Sequence, residues 1–229
     1  MTLEHPIIAV LGGTGAEGSG LALRWSAAGY PVYIGSRTAE KAVATADELN
    51  AALAAANVAS AHPVRGLDNR AAAQVCDIAV LTVPYSAHLS TLLGLHEALQ
   101  GKILVDVTVP LKPPNVRTFQ QPAGQSASLE AQALLGGDVR VVCAFQNISA
   151  HHLKDLQHQI DCDVLVCGDD VDARDAVLAL VAAAGMRGLH AGSLQNSIVV
   201  EGLTSILIGL NIKYKIKNAG LRITGLPNL

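Results

Sequence analysis

Short apolar runs alternate with stretches of helical periodicity along most of this chain. Ile7-Ile8-Ala9-Val10-Leu11 is unbroken and stops at Gly12-Gly13, as a short strand buried on both faces and followed by a turn would. From Gly18 to Ala28, Leu21, Trp25 and Ala28 recur at helical spacing, and Gly29 follows as a C-terminal cap. Val32-Tyr33-Ile34 predicts a second strand. Thr38 to Ala56 predicts a long Ala-rich helix, with Thr38 as N-cap and Lys41 in its first turn. Beyond it the pattern gives a short helix (Ala71 to Val75), a strand (Ile78 to Val83), a helix (His88 to Leu99) and a strand (Ile103 to Val107).

Alternation of this kind predicts an α/β fold, a doubly wound parallel sheet covered by helices on both faces. Pro110 to Gln125 holds four of the nine prolines and predicts an irregular loop. Ala127 to Leu135 returns to helix and Val139 to Phe145 to strand. Past Ala150 the pattern is less regular: a strand over Asp163 to Cys167, a helix over Asp172 to Ala184 capped by Asp172, a strand over Met186 to Ala191, and a long buried helix over Leu194 to Lys213. A soft boundary near residue 150 divides residues 1–150 from a smaller part, 151–229.

Composition narrows the classes. Half of the 229 residues are hydrophobic and 15% are charged, which excludes a disordered chain. A net charge of −3 lacks the basic excess that counterion release on nucleic acid demands, and 3% aromatic content leaves little for base stacking. Cys76, Cys143, Cys162 and Cys167 form no C-x-x-C pair, so no zinc site is expected and they read as buried thiols in a reducing compartment. Glu4 and His5 interrupt any signal-peptide pattern, and the apolar stretch Ser197 to Ile212 carries Glu201 and is too short to span a bilayer. A soluble, cytoplasmic protein is expected.

Gly13-Thr14-Gly15-Ala16-Glu17-Gly18 is a G-x-G-x-x-G turn placed after a predicted strand and opening a predicted helix, the context in which it signals dinucleotide binding. Gly13 permits the tight turn, Gly15 the approach of a pyrophosphate, and Gly18 close packing of helix on strand. The helix N-terminus adds free N–H groups and positive partial charge. The end of the second strand carries Gly35-Ser36-Arg37, with no acid before Glu40. A carboxylate there would bind a ribose 2′-OH and repel a 2′-phosphate; Arg37, Ser36 and Lys41 one turn on would hold the phosphate, which selects NADP over NAD. Thr82-Val83-Pro84-Tyr85 and Thr108-Val109-Pro110 follow later strands, where open α/β sheets bind their ligands. Phe145-Gln146-Asn147-Ile148-Ser149-Ala150 follows the last strand of the first part, its polar side chains available to a second ring system. No Ser-His-Asp arrangement, acid–base pair or metal cluster accompanies these motifs. His88, His151, His152 and His190 show no catalytic spacing, with His151-His152 set closest to the chemistry.

Gly12-Gly13-Thr14-Gly15, Gly35-Ser36-Arg37, Ala144 to Ala150, Val166-Cys167-Gly168-Asp169-Asp170 and Val200-Glu201-Gly202-Leu203-Thr204 occur in that order. With them the chain resembles the NADPH-dependent coenzyme F420 reductases (F420H2:NADP oxidoreductases), from Ile7 to Arg222-Ile223-Thr224-Gly225-Leu226-Pro227. The resemblance implies an N-terminal Rossmann-type domain and a small C-terminal lobe with a deazaflavin in the cleft between them. It implies reversible hydride transfer between nicotinamide and deazaflavin, without a side-chain acid, in a homodimer. It implies NADP contacts at Thr14, Gly15, Ser36, Arg37 and Lys41, and deazaflavin contacts at Gln146, Asn147 and Ile148. Many relatives have His where this chain has Gln146, which can donate a hydrogen bond but carries no charge. Lys213, Lys215, Lys217 and Arg222 form an acid-free basic segment, read either as a solvated terminus or subunit contact or as an attractor of the anionic tail of coenzyme F420. The competing expectations are an NADP-dependent reductase of an imine, ketone or ferric chelate, and a non-catalytic NADP sensor.

Overall fold

Two Ile-Ala-Val-Leu tetrads lie side by side at the centre of the sheet: β1 (Ile8–Leu11) pairs in parallel register with β4 (Ile78–Leu81), Ile8 opposite Ile78 and Leu11 opposite Leu81. The computed structural model describes residues 5–58 and 60–226; Glu4 and Pro227, used in the sequence reading, lie outside them. Around this pair run β2 (Val32–Ser36), β3 (Arg65–Asp68), β5 (Ile103–Asp106), β6 (Arg140–Cys143), β7 (Asp163–Gly168) and β8 (Arg187–His190), in the order β3-β2-β1-β4-β5-β6-β7-β8. The first six are parallel, in the Rossmann order. β7 joins β6 antiparallel and β8 joins β7 in parallel. Residue 150 falls between β6 and β7, and the strands beyond it extend the same sheet.

Alternate residues of β1 enter opposite cores, as the two-residue period of a strand requires: Ile8 and Val10 face one, Ala9 and Leu11 the other. The first core is closed by α1 (Ala16–Ala27), α2 (Ala39–Ala55) and α6 (Val171–Ala183), with Trp25 and Phe145 wholly buried edge to face at 5.8 Å. The second is closed by α3 (Asn69–Val75), α4 (Tyr85–Leu99) and α5 (Ala127–Leu135). Gly29, at φ +93°, ends α1 as expected: the Tyr30 amide reaches back to the Trp25 carbonyl at 3.0 Å.

Arg24, in the last turn of α1, is buried, and its guanidinium donates to five carbonyl oxygens. These are Leu153 (2.8 Å), Ala184 (3.1 Å), His152 (3.2 Å), Asp155 (2.7 Å) and His158 (3.1 Å). A Cβ on Gly20 would stand 2.4 Å from Leu153 Cβ, so α1 lies directly on this segment.

Five expectations change. β3 was not foreseen, because Arg65-Gly66-Leu67-Asp68 is a sheet edge with no apolar run. α6 begins at Val171 and is capped by Asp170, whose carboxylate accepts from Ala173 N at 2.7 Å; Asp172 sits inside the first turn. Thr38 occupies the N-cap position of α2 but makes no side-chain cap bond. The last helix, α7 (Ser197–Tyr214), is only partly buried, with Val199, Ile206, Leu210 and Tyr214 exposed along one stripe. With the 3-10 turn before it, the span Leu194–Tyr214 is 21 residues, long and apolar enough to cross a membrane by length and composition. The stretch is therefore not too short, as expected from Ser197 to Ile212, and what sets α7 apart from a free apolar rod is a buried carboxylate that docks it.

Candidate functional site

A cleft of ≈ 1080 Å³ opens at the carboxyl ends of β1, β2, β4, β5 and β6, at the point where strand order reverses between β1 and β4. Its floor is the glycine turn. Gly12 carries the positive φ (+72°), and a Cβ there would meet Val83 Cγ1 at 2.5 Å. The left-handed residue of the turn is thus Gly12 rather than Gly13. Gly13 is needed for proximity, since a Cβ on it would stand 2.6 Å from the Val10 carbonyl oxygen. Gly15 faces open space, which leaves its backbone accessible to a phosphate, and Gly18 is pressed against Thr82 and Gly13. Thr14, Gly15 and Glu17 line the cleft; Gly13, Ala16 and Gly18 do not. Desolvation at the start of α1 raises the Glu17 carboxyl to about 8.

Ser36, Arg37, Thr38 and Lys41 form the next wall. Arg37 and Lys41 are exposed, whereas Glu40 does not line the cleft, so its charge at this end is basic. Asn69 follows β3 and enters the site beside them. Its Oδ1 accepts from Gly12 N at 3.1 Å and so fixes the turn. Nothing in the sequence pointed to Asn69, because the strand that places it is the polar edge.

Thr82, Val83, Pro84 and Tyr85 follow β4, and Val107, Thr108 and Val109 follow β5. Thr82 Oγ1 donates to the Leu11 carbonyl at 3.1 Å. Tyr85 O–H donates to Glu130 Oε2 at 3.0 Å; burial and this bond push its phenol up to about 12, which keeps it protonated. Behind these turns Asp106 and His88 are both completely buried, with His88 Nε2 2.7 Å from Asp106 Oδ2. Burial pushes the His88 imidazolium down, but the bond and charge of Asp106 outweigh it and raise the group above its ordinary value.

Gln146, Ile148, Ser149 and Ala150 form the far wall. Gln146 donates Nε2–H to the Asp106 carbonyl at 2.6 Å and accepts Thr204 Oγ1–H on its own carbonyl at 2.7 Å. Asn147 is turned inward: its Nδ2 donates to the Asp163 carbonyl at 2.6 Å, and it does not line the cleft. It holds the loop while its neighbours present themselves. Thr204, Leu207, Ile208 and Asn211 of α7 complete this side. α7 is seated by Glu201, which is buried and accepts from Ala127 N (2.7 Å), Ser128 N (3.0 Å) and Ser128 Oγ (2.8 Å) at the start of α5.

His151 and His152 do not line the cleft; His152 stacks on His158 with ring centroids 3.9 Å apart. Lys213, Lys215 and Lys217 are exposed, and Ser149 Oγ donates to the Lys217 carbonyl at 2.8 Å, which brings the basic segment to the cleft mouth. Arg222 is committed elsewhere, to Asp163 (3.0 Å) and Asp161 (3.1 Å). Among the described residues no cluster of His, Cys, Asp or Glu has the arrangement of a metal site.

Residues 7–110 match the family model described as NADP oxidoreductase, coenzyme F420-dependent. The chain is 43% identical over 227 residues to the F420-dependent NADP reductase of Methanothermobacter marburgensis, covering 96% of this chain and 99% of that one. It is 42% identical to the F420-dependent NADP reductase of Methanocaldococcus jannaschii, over 96% and 98% of the two chains. A solved structure from Arthrobacter sp. FB24 superposes with a TM-score of 0.73 over 96% of this chain and 99% of that one, at 23% identity, a likeness of fold.

Proposed function

The chain belongs to the family of coenzyme F420-dependent NADP reductases, and from that premise we propose that it transfers a hydride reversibly between NADP(H) and the deazaflavin coenzyme F420. The observation that carries this reading is one continuous cleft joining a glycine turn, a basic wall at Ser36, Arg37 and Lys41, and a wall of Thr108, Gln146 and Ile148. At ≈ 1080 Å³ it exceeds the range of roughly 300–1,000 Å³ usual for one drug-sized ligand.

The residues fit both groups. The open face of Gly15 and the α1 N-terminus suit a diphosphate, and Arg37 with Lys41 suits a 2′-phosphate. When bound, nicotinamide and deazaflavin supply the hydride donor and acceptor between them. The protein orients and encloses. Tyr85, kept protonated and tied to Glu130, stays a neutral wall, and Val83, Pro84 and Ile148 shed water. Transfer between rings held about 3–3.5 Å apart needs no side-chain acid, in keeping with a site built for placement.

Residues 151–229 supply the second wall of the cleft through α7. Its stripe of exposed Val199, Ile206, Leu210 and Tyr214 supports a homodimer formed on this helix. Lys213, Lys215 and Lys217 at the mouth suit the anionic tail of coenzyme F420. Four free, buried cysteines support a cytoplasmic location.

The test is the absorbance band of oxidised coenzyme F420, followed with purified protein and either NADPH or NADH. Loss of the band with NADPH, and much slower loss with NADH, is expected. No loss with either, despite measurable NADP binding, would leave the Rossmann fold and remove the deazaflavin from the reading.

A further inference from the structure

Among the described residues, two that line the cleft carry a buried polar side-chain atom with no partner: Gln146, at Oε1, and Thr108, at Oγ1. Both side chains are about as buried as core residues, at 3% exposure each. An unmet acceptor or hydroxyl in such a place is costly unless something else meets it.

Both residues hang from Asp106. Its backbone carbonyl accepts Gln146 Nε2–H at 2.6 Å, and its Oδ1 accepts the Thr108 amide at 3.0 Å. Its Oδ2 is held by His88 Nε2 at 2.7 Å. This arrangement decides which way the Gln146 amide points. A flipped amide would set its oxygen against the Asp106 oxygen, acceptor against acceptor, so the NH₂ faces Asp106 and Oε1 is left as a fixed acceptor. Thr204 clamps the Gln146 backbone from α7. The Thr108 hydroxyl rotates freely and can donate.

We propose that Gln146 and Thr108 together read an amide edge, an N–H beside a C=O on a planar ring system, with Asp106 and His88 as the positioning residues that hold them. The N–H is received by Gln146 Oε1 and the C=O by the Thr108 hydroxyl. The inference rests on the reading of the cleft as the meeting place of the two rings. Two sources offer that chemistry: the carboxamide of nicotinamide and the cyclic imide edge of the deazaflavin. The recognition is polar but uncharged, so it orients a ring without placing a net charge beside it.

The test compares Thr108→Val and Gln146→Met with the wild type, and Thr108→Ser as the conservative control. Affinities for NADP⁺ and for 2′,5′-ADP, which lacks the nicotinamide, are measured by calorimetry, and KM is measured for coenzyme F420. The expected result is unchanged 2′,5′-ADP affinity in every variant and a loss of about 10-fold in one other column. A loss for NADP⁺ assigns the carboxamide; a loss confined to the KM of coenzyme F420 assigns the imide. Thr108→Ser, which keeps the hydroxyl, regains most of what Thr108→Val loses, and His88→Gln shows a smaller loss in the same column. A second measurement needs no variant: if the carboxamide is the source, wild-type protein binds the 3-acetylpyridine analogue of NADP⁺, which lacks the N–H, about 10-fold more weakly. Thr108→Val and Gln146→Met both within twofold of wild type in all columns would overturn the inference. If wild-type protein fails to turn over coenzyme F420, the proposed reaction falls. The NADP⁺ and 2′,5′-ADP comparison then decides the amide-edge inference by itself, and an unchanged ratio overturns it.

Discussion

Gly18 of α1 and Thr82 after β4 meet so closely that a Cβ on the glycine would stand 2.5 Å from Thr82 Oγ1, and 2.9 Å from Gly13 Cα. The helix that opens from the glycine turn is therefore set in place by the strand end that also lines the cleft. Gly18→Ala must push α1 outward. We expect a stability loss of about 1–3 kcal/mol and at least a 10-fold weaker NADP affinity. Adding Thr82→Ala removes the nearer clash but not the one with Gly13, so the double variant should recover part of the melting temperature and no more. Full recovery would show that Gly13 imposes no limit.

Arg37 and Lys41 are exposed cations at the cleft end proposed for the 2′-phosphate. Arg37→Ala is expected to raise the KM for NADPH about 10- to 100-fold, the loss of a charge-assisted bond, and to leave NADH kinetics unchanged. Steady-state kinetics with both cofactors checks this; an equal loss for both would place Arg37 away from the phosphate.

Glu201 gives the fold a pH signature. Burial, with Asp106 nearby, raises its carboxyl to about 7 despite three donors, against an ordinary value of 4.5. Between those values the folded protein holds a proton that the unfolded chain has released. Stability should fall as pH rises from about 4.5 to 7 and then level. Glu201→Gln should remove that slope and cost about 1–3 kcal/mol at pH 5, because its NH₂ opposes the amides of Ala127 or Ser128. Melting curves at pH 5 and 7.5 read both effects. Asp163 works in the opposite sense at lower pH. Its bond to Arg187 holds it near 2, so its contribution is present above about 3.8 and fades as pH drops towards 2.

The apolar stripe of α7 predicts an assembly test. Ile206→Asp faces solvent in the single chain and should fold, yet sedimentation should show half the wild-type mass. Wild-type protein that sediments as a monomer would remove the dimer from the reading.

Lys213, Lys215 and Lys217 replaced together by Gln should raise the KM for coenzyme F420 several-fold at low salt and flatten its dependence on ionic strength. An unchanged KM at low salt would separate the basic segment from the ligand.

Most of the sheet was legible because β1, β4 and β5 are buried on both faces and so read as continuous apolar runs. β3 was not: a parallel edge strand of Arg65-Gly66-Leu67-Asp68 buries too little to need one, and Asn69 was lost with it. The direction of β7 was equally hidden, since nothing in Asp163–Gly168 itself says which way it pairs. α7 is apolar nearly all round, which predicts burial, whereas its outer stripe is exposed. Of the site, the glycine turn and the basic wall could be read from residue type alone. The inward turn of Asn147 and the unmet acceptor of Gln146 could not, because adjacent polar residues differ only in where Asp163 and Asp106 stand to receive them.

The carbonyl collar around Arg24 has a mechanical consequence. α1 meets the glycine-turn end of the cleft with its first turn and is bolted by its last to the segment that continues from Gln146 and Ala150. One short rigid rod thus spans both grips, like the beam of a caliper. The two walls of the cleft are thus tied through one helix, so a change that loosens the Arg24 collar should be felt at the glycine turn.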